Sequence, residues 1–108
     1  MTERKYELII SIVKRGYSDF VVDAARDAGA TGGTIIHGRG TGSPEIEKFF
    51  GITISPEKEI VIILVGQNIK ENVLRAINKA AGLETKGMGI AFTMPVSDVV
   101  GLASDDID

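Results

Sequence analysis

The 108-residue sequence predicts a single α+β domain in which an antiparallel sheet carries two helices on one face. Two observations predict this class: a strand–helix–strand pattern occurs twice, and the run Glu59–Val65 (EIVIILV) is apolar on both faces. A third observation limits the chemistry. Cysteine is absent, which excludes disulfides and thiolate metal sites, whereas 44% hydrophobic residues suffice for a packed core.

The first unit begins with Tyr6–Val13, whose β-branched residues predict a strand. A helix is expected from about Ser18 to Ala28, with the Ser18 hydroxyl as N-cap and Gly29 at the C-terminal end. Its apolar stripe comprises Phe20, Val21, Ala24, Ala25 and Ala28. The second strand is expected from about Gly33 through Ile36.

The second unit begins with the strand Glu59–Val65, which follows Pro56 and precedes Gly66. Asn68 is expected to cap the next helix, with Glu71 as its capping-box partner. The apolar stripe of this helix comprises Val73, Leu74, Ile77, Ala80 and Ala81, and Gly82 ends it. The last strand is expected over Ile90–Val96.

Together these elements give the order βαββαβ, the ferredoxin-like pattern. With both helices on one face, the other face of the sheet lacks a cover, yet Glu59–Val65 is apolar there too, so oligomerisation is expected. Val99, Val100 and Leu102 suggest a short additional edge strand. The acidic tail 104–108 is expected to be frayed.

The connection between Ile36 and Glu59, about twenty residues, is much longer than the ~2–5 residues that a two-strand connection needs. Phe49–Ile54 is expected to extend the third strand. The remainder predicts an outsized loop, and such loops are typically functional or disordered.

Two glycine-rich segments are candidate anion sites. In Gly38–Ser43, glycines allow backbone N–H groups to converge on an anion, Arg39 adds a fork of donors, and Thr41 and Ser43 add hydroxyls. Thr85–Gly89 (TKGMG) offers a second backbone cradle with Lys86 as a point charge. The alternatives are a flexible connection and a simple helix–strand loop that bind nothing.

Charge and residue usage exclude several functions. The net charge of −3 without a basic cluster argues against nucleic acid. No apolar run approaches the ~20 residues of a membrane span, and no signal peptide is recognisable, so a cytoplasmic protein that is not membrane-inserted is expected. The only histidine, His37, lacks the partners for a zinc site, and no nucleophile–base pair is evident. We therefore predict no catalytic residues, no metal and no required cofactor.

The ordered motifs resemble the PII signal-transduction (nitrogen regulatory protein PII) family, in a divergent PII-like branch. The resemblance is carried by Gly29-Ala30-Thr31-Gly32-Gly33-Thr34, Gly40-Thr41-Gly42, Lys79-Ala80-Ala81, Gly87-Met88-Gly89, and Phe92 with Pro95-Val96. It covers nearly the whole chain.

The resemblance implies a homotrimer of ferredoxin-like chains with a long T-loop, here about 40–51, and a B-loop over Leu83–Gly89. The family binds ATP or ADP between subunits, often with 2-oxoglutarate, and its T-loop docks on transporters or enzymes. By position, Thr34 would lie near the adenine. Together with the residues singled out above, the expected ligand-binding set is Thr34, Arg39, Gly40, Thr41, Gly42, Ser43, Lys86, Gly87, Met88 and Gly89.

The chain departs from the family at several cations. Ile90, Gly101 and Ala103 stand where the family has basic residues, and Ser43 replaces the arginine after the GxG motif. Pro44 lies near the place of the glutamine that supports 2-oxoglutarate, and the loop is shorter and lacks the uridylylated tyrosine.

These features predict a non-enzymatic regulator that binds a small anion, such as AMP, ADP or ATP, between subunits. It would control a protein partner, a transporter or an enzyme, through segment 40–51, with nitrogen metabolism as one setting. The alternative is a small enzyme or a metal-handling trimer on the same scaffold, because a fold does not fix a function.

Overall fold

The structure is a computed structural model, which describes residues 5–41, 47–49, 52–54, 57–85 and 88–102. Its elements follow the predicted order, with one additional pair of short strands. They are β1 Tyr6–Lys14, α1 Ser18–Asp27, β2 Thr34–Arg39, β3 Glu47–Phe49, β4 Ile52–Ile54, β5 Glu57–Gly66, α2 Lys70–Ala81 and β6 Gly89–Val96.

The main sheet has four strands in the order β2-β5-β1-β6, and every neighbouring pair is antiparallel. In the middle of the sheet, Ile10 of β1 lies opposite Ile62 of β5 on one side and Phe92 of β6 on the other. Both helices contact β1, α1 also contacts β5, and α2 also contacts β6. The predicted ferredoxin-like fold is confirmed.

The core lies between the helices and one face of the sheet, which we call the helix face. Ile9 and Val13 of β1 are fully buried there beside Val61, Ile63 and Val65 of β5. The helices contribute Val21, Ala25, Val73, Ile77 and Ala81. Because side chains alternate along a strand, the intervening residues point to the opposite face.

We call that opposite face the open face, and it is also apolar. Ile36, Ile90, Phe92 and Met94 on the edge strands are exposed there. The central strands add half-buried side chains, namely Leu8, Ile10, Ile12, Ile60, Ile62 and Leu64. The prediction that Glu59–Val65 presents apolar side chains in both directions is therefore confirmed.

Both predicted N-caps are wrong. Helix α1 begins at Ser18 itself, the N-cap is Tyr17, and no side chain of the cap residue bonds the helix. Helix α2 begins at Lys70 after Ile69, again without a side-chain cap bond. Its first backbone contacts come from a turn in which the Ile69 N–H donates to Gly66 O at 3.1 Å. The chain thus enters each helix from a tight turn rather than through a capping side chain.

The helix ends agree better with the sequence. Gly82 adopts the left-handed conformation with φ 62° after α2, and the Leu83 N–H donates to Asn78 O. Gly29 follows α1 with φ 113°. Two members of the predicted stripes, Phe20 (56% exposed) and Ala80, point to solvent instead, because they flank the buried positions rather than occupying them.

Two strand predictions also fail. Residues 47–49 and 52–54 pair with each other as a separate two-stranded sheet, so they do not extend the third strand, which begins at Glu57. Residues 97–102 form no strand. Gly101 has φ 95°, which is not an extended conformation, and Val100 is 96% exposed.

Candidate functional site

The two glycine-rich segments lie at the same end of the main sheet but at opposite edges. At this end Arg39 of β2 lies opposite Glu57, Lys58 lies opposite Lys14, and Gly89 begins β6 opposite Val13. Two strands separate β2 from β6, which places the edges about 14 Å apart at the usual strand spacing. Within one chain, the described residues Arg39–Thr41 and Met88–Gly89 of the two segments therefore belong to opposite edges.

At the β2 edge, Gly40 packs against Lys58. A Cβ atom at Gly40 would lie 2.9 Å from Lys58 Cε and 3.4 Å from Lys58 Cγ, so the lysine stem runs along the glycine backbone. Sequence reasoning missed Lys58. Its only signal is its place directly before the apolar strand, at the end of the long connection.

Lys58 also lies directly opposite Lys14 in the β1–β5 register, so both side chains leave the sheet on its open face. Like charges directly opposite each other across two strands destabilise a sheet. An anion between the two ammonium groups would remove that repulsion. These two lysines place positive charge at the end of the sheet that carries Gly40.

The other predicted β2 residues lie on different sides of the strand. Thr34 begins β2 opposite Ile62 on the open face, whereas Arg39 ends it opposite Glu57 on the helix face. They are five residues apart, about 16 Å along an extended strand. A ligand that touches both must run along the edge of β2. Thr41 is exposed just beyond its end.

A buried carboxylate fixes the start of β5 next to this edge. Glu59 Oε1 accepts the backbone N–H groups of Gly16 at 2.8 Å and Ser18 at 3.1 Å, so this carboxylate replaces the missing N-cap of α1. Glu59 Oε2 lies 3.7 Å from His37 Nδ1. The backbone hydrogen bond from Ser18 lowers the pKa of Glu59, although burial opposes this, and the Gly16 bond and His37 lower it further.

At the β6 edge, Gly89 is required by the fold. Its φ is 138°, and a Cβ atom there would collide with the carbonyl oxygen of Ile12 on β1. The preceding turn is closed by the Met88 N–H, which donates to Thr85 O at 3.2 Å. Close packing of the β6 backbone against β1 thus accounts for Gly89 without a ligand.

Four predicted site residues, Gly42, Ser43, Lys86 and Gly87, lie outside the described residues. Among the residues that the structure describes, no three His, Cys, Asp or Glu side chains come together as a metal site. Within the same ranges, neither helix has the length and apolar character needed to cross a bilayer.

Solved structures share this architecture. A crystal structure of Arabidopsis thaliana PII bound to citrate aligns with a TM-score of 0.67 and 26% identity, over 93% of this chain and 82% of that one. A Bacillus cereus protein related to NIF3 aligns with a TM-score of 0.69 and 16% identity, over 91% of this chain but only 27% of that one, and so shows the fold alone. No curated protein matches the sequence.

The fold and the two glycine segments thus define a small ferredoxin-like protein of the PII type. The family model for nitrogen regulatory protein P-II matches residues 6–106, and the chain therefore belongs to the P-II family. It is a regulatory protein of that family, as its resemblance implied.

Proposed function

We propose that this protein binds a small anion, specifically an adenine nucleotide, between neighbouring subunits of a homotrimer, and that the bound state controls a protein partner through segment 40–51. One observation carries this proposal: the two glycine segments occupy the same end of the sheet but its opposite edges. The two segments would meet where the β2 edge of one copy lies beside the β6 edge of a second copy.

The open face supplies the reason for copies to associate. Apolar side chains from all four strands cover it, and Ile36 and Met94 are 45% and 48% exposed in the single chain. Contiguous apolar patches of this kind mark association surfaces. We expect a closed trimer of such chains to place the β2 edge of each copy beside the β6 edge of the next, as a head-to-tail ring allows. Sedimentation should give the mass of three chains, and a monomer at micromolar concentration would contradict the proposal.

The charges favour a ligand with few phosphates. Lys14, Lys58 and Arg39 are available at the end of the sheet, whereas Ile90 and Gly101 stand where the family has cations. Each charge-assisted hydrogen bond that a phosphate fails to make forgoes roughly 1.5–3 kcal/mol. We therefore expect AMP or ADP to bind at least as tightly as ATP.

Calorimetric titration at fixed ionic strength tests this proposal, with AMP, ADP, ATP and citrate as ligands. Citrate is included because the Arabidopsis protein was crystallised with it. Replacing Lys58→Gln should weaken the binding of ADP about tenfold, the loss expected for one charge-assisted bond. The matched control Lys79→Gln removes an exposed lysine from the far side of α2 and should leave binding unchanged.

Three results would contradict the proposal in different ways. Equal weakening by both lysine variants would mean that only net charge matters. ATP binding tenfold tighter than ADP would overturn the nucleotide preference and assign the third phosphate to further cations. Steady turnover of the bound nucleotide would favour the enzyme alternative, because a sensor binds with little hydrolysis.

Control of the partner would follow from ordering of the segment that begins at Gly40. A ligand shifts a loop between two states only by its different affinity for each state. Shortening the chain between 44 and 50 should leave the trimer mass intact, because the open face lies outside this segment. It should abolish ligand-dependent capture of a transporter or enzyme from the native cell extract, and unchanged capture would remove the loop from the interface.

A further inference from the structure

A groove of about 640 Å³ runs between α2 and the beginning of β6, on the helix side of the sheet. Its volume falls within the ~300–1,000 Å³ of typical small-molecule sites. The lysine pair described above lies on the open face at the β5–β1 register, whereas this groove lies on the helix side and shares only Gly89 with the expected nucleotide-binding set.

The polar groups of the groove all come from α2. Glu71, Arg75 and Asn78 follow one another at helical spacing, so they line one side of the groove. In the part of the chain that the structure describes, no carboxylate oxygen lies within 4.0 Å of the Arg75 guanidinium. One amide N–H of Asn78 reaches Glu84 Oε1 at 3.4 Å, which leaves its second N–H for another acceptor.

The remaining lining is apolar. Leu74 of α2 and Leu83, just after this helix, supply apolar side chains, and Ala91 and Gly89 provide a floor of small residues. Ala91 lies directly opposite Ser11 of β1, whose buried hydroxyl has no hydrogen-bond partner in the described chain. Because both residues are small, they leave space in the groove that a larger side chain would fill.

We propose that this groove is a second ligand site that binds a small monocarboxylate with an apolar body. The carboxylate would bind Arg75 and Asn78, and the negative charge of Glu71 would direct it to their end of the groove. The hydrocarbon would lie on Leu74 and Leu83 over the Ala91 floor. This chemistry differs from that of the nucleotide proposed above.

Octanoate is a suitable probe, because it has one carboxylate and a flexible apolar chain. We expect its titration into the ¹⁵N-labelled full chain to shift the backbone amide signals of Leu74, Arg75, Leu83 and Ile90 saturably. Replacing Arg75→Gln should raise the dissociation constant at least tenfold. Octylammonium, which reverses the charge on the same body, should bind at least tenfold more weakly than octanoate.

The control is Arg26→Gln, which removes an exposed arginine from the last turn of α1 and should change the octanoate affinity less than twofold. The proposal is overturned if the shifted amides lie outside the groove, or if Arg75→Gln and Arg26→Gln have equal effects. It is also overturned if octylammonium binds as tightly as octanoate, since Arg75 would then not select the ligand.

Discussion

Both edges of the sheet carry a glycine-rich segment, but different interactions surround the glycine at each edge. At the β6 edge, Gly89 lies so close to the β1 backbone that a side chain would collide with Ile12. At the β2 edge, Gly40 faces the flexible stem of Lys58. The same end of the sheet carries charged side chains: Arg15 pairs with Glu57 at 2.7 Å and Glu59 lies beside His37.

The comparison shows that a glycine motif has two separable explanations. Backbone packing fixes the β6 edge and would require glycine there in any protein with this strand register. Charge and the movable Lys58 side chain define the β2 edge. Gly40 there either allows the chain to turn or leaves space for a ligand. The properties of the β2 edge should therefore depend on pH, salt and anions. The stability of the β6 edge should depend on the volume of the side chain at position 89.

Replacing Gly89→Ala should have the largest effect on stability. A positive φ costs a residue with a Cβ atom about 1–2 kcal/mol, and overpacking against β1 adds about 1–3 kcal/mol. The control is Gly101→Ala, since Gly101 also has positive φ (95°) but nothing within 4 Å of its added Cβ atom. Urea unfolding at one fixed chain concentration measures both. Similar losses in the two variants would show that conformational strain alone, not contact with β1, requires the glycine.

Replacing Glu59→Gln should have an intermediate effect, about 1–2 kcal/mol at pH 7, as for the loss of a helix cap. Folding lowers the pKa of Glu59 below its ordinary value of 4.5. Its contribution to the free energy of unfolding is therefore complete above about pH 4.5 and is lost as the pH falls through the folded-state pKa.

Unfolding of both proteins between pH 7 and pH 3 checks this prediction. The difference in stability between the natural protein and Glu59→Gln should shrink on acidification, because glutamine does not titrate. A difference that stays constant across this range would mean that the carboxylate charge does not stabilise the start of α1.

Replacing Gly40→Ala should have the smallest effect, less than about 0.5 kcal/mol, because only the end of the Lys58 side chain must move. The same variant should nevertheless weaken ADP binding, since it displaces the ammonium group from its position by the loop. Paired measurements of unfolding and titration separate the two effects. A loss of stability comparable to that of Gly89→Ala would mean that both edges are held by backbone packing.

Much of the fold could be predicted because local patterns dominate it. Alternation and β-branched residues located the strands, Gly82 correctly marked the end of α2, and both faces of β5 proved apolar. The helix starts could not be predicted in the same way. Ser18 looks like an N-cap in sequence, but Glu59, 41 residues away, bonds its backbone N–H.

The candidate site shows the same division. The sequence by itself determined that Gly40 and Gly89 belong to glycine-rich segments next to strands, because glycine content and strand periodicity are local properties. Only the tertiary structure decided that Gly89 is required against β1, that Lys58 lies along Gly40, and that the two segments occupy opposite edges of one end. Strand register and order decide these relations, and both arise from contacts between residues far apart in the chain.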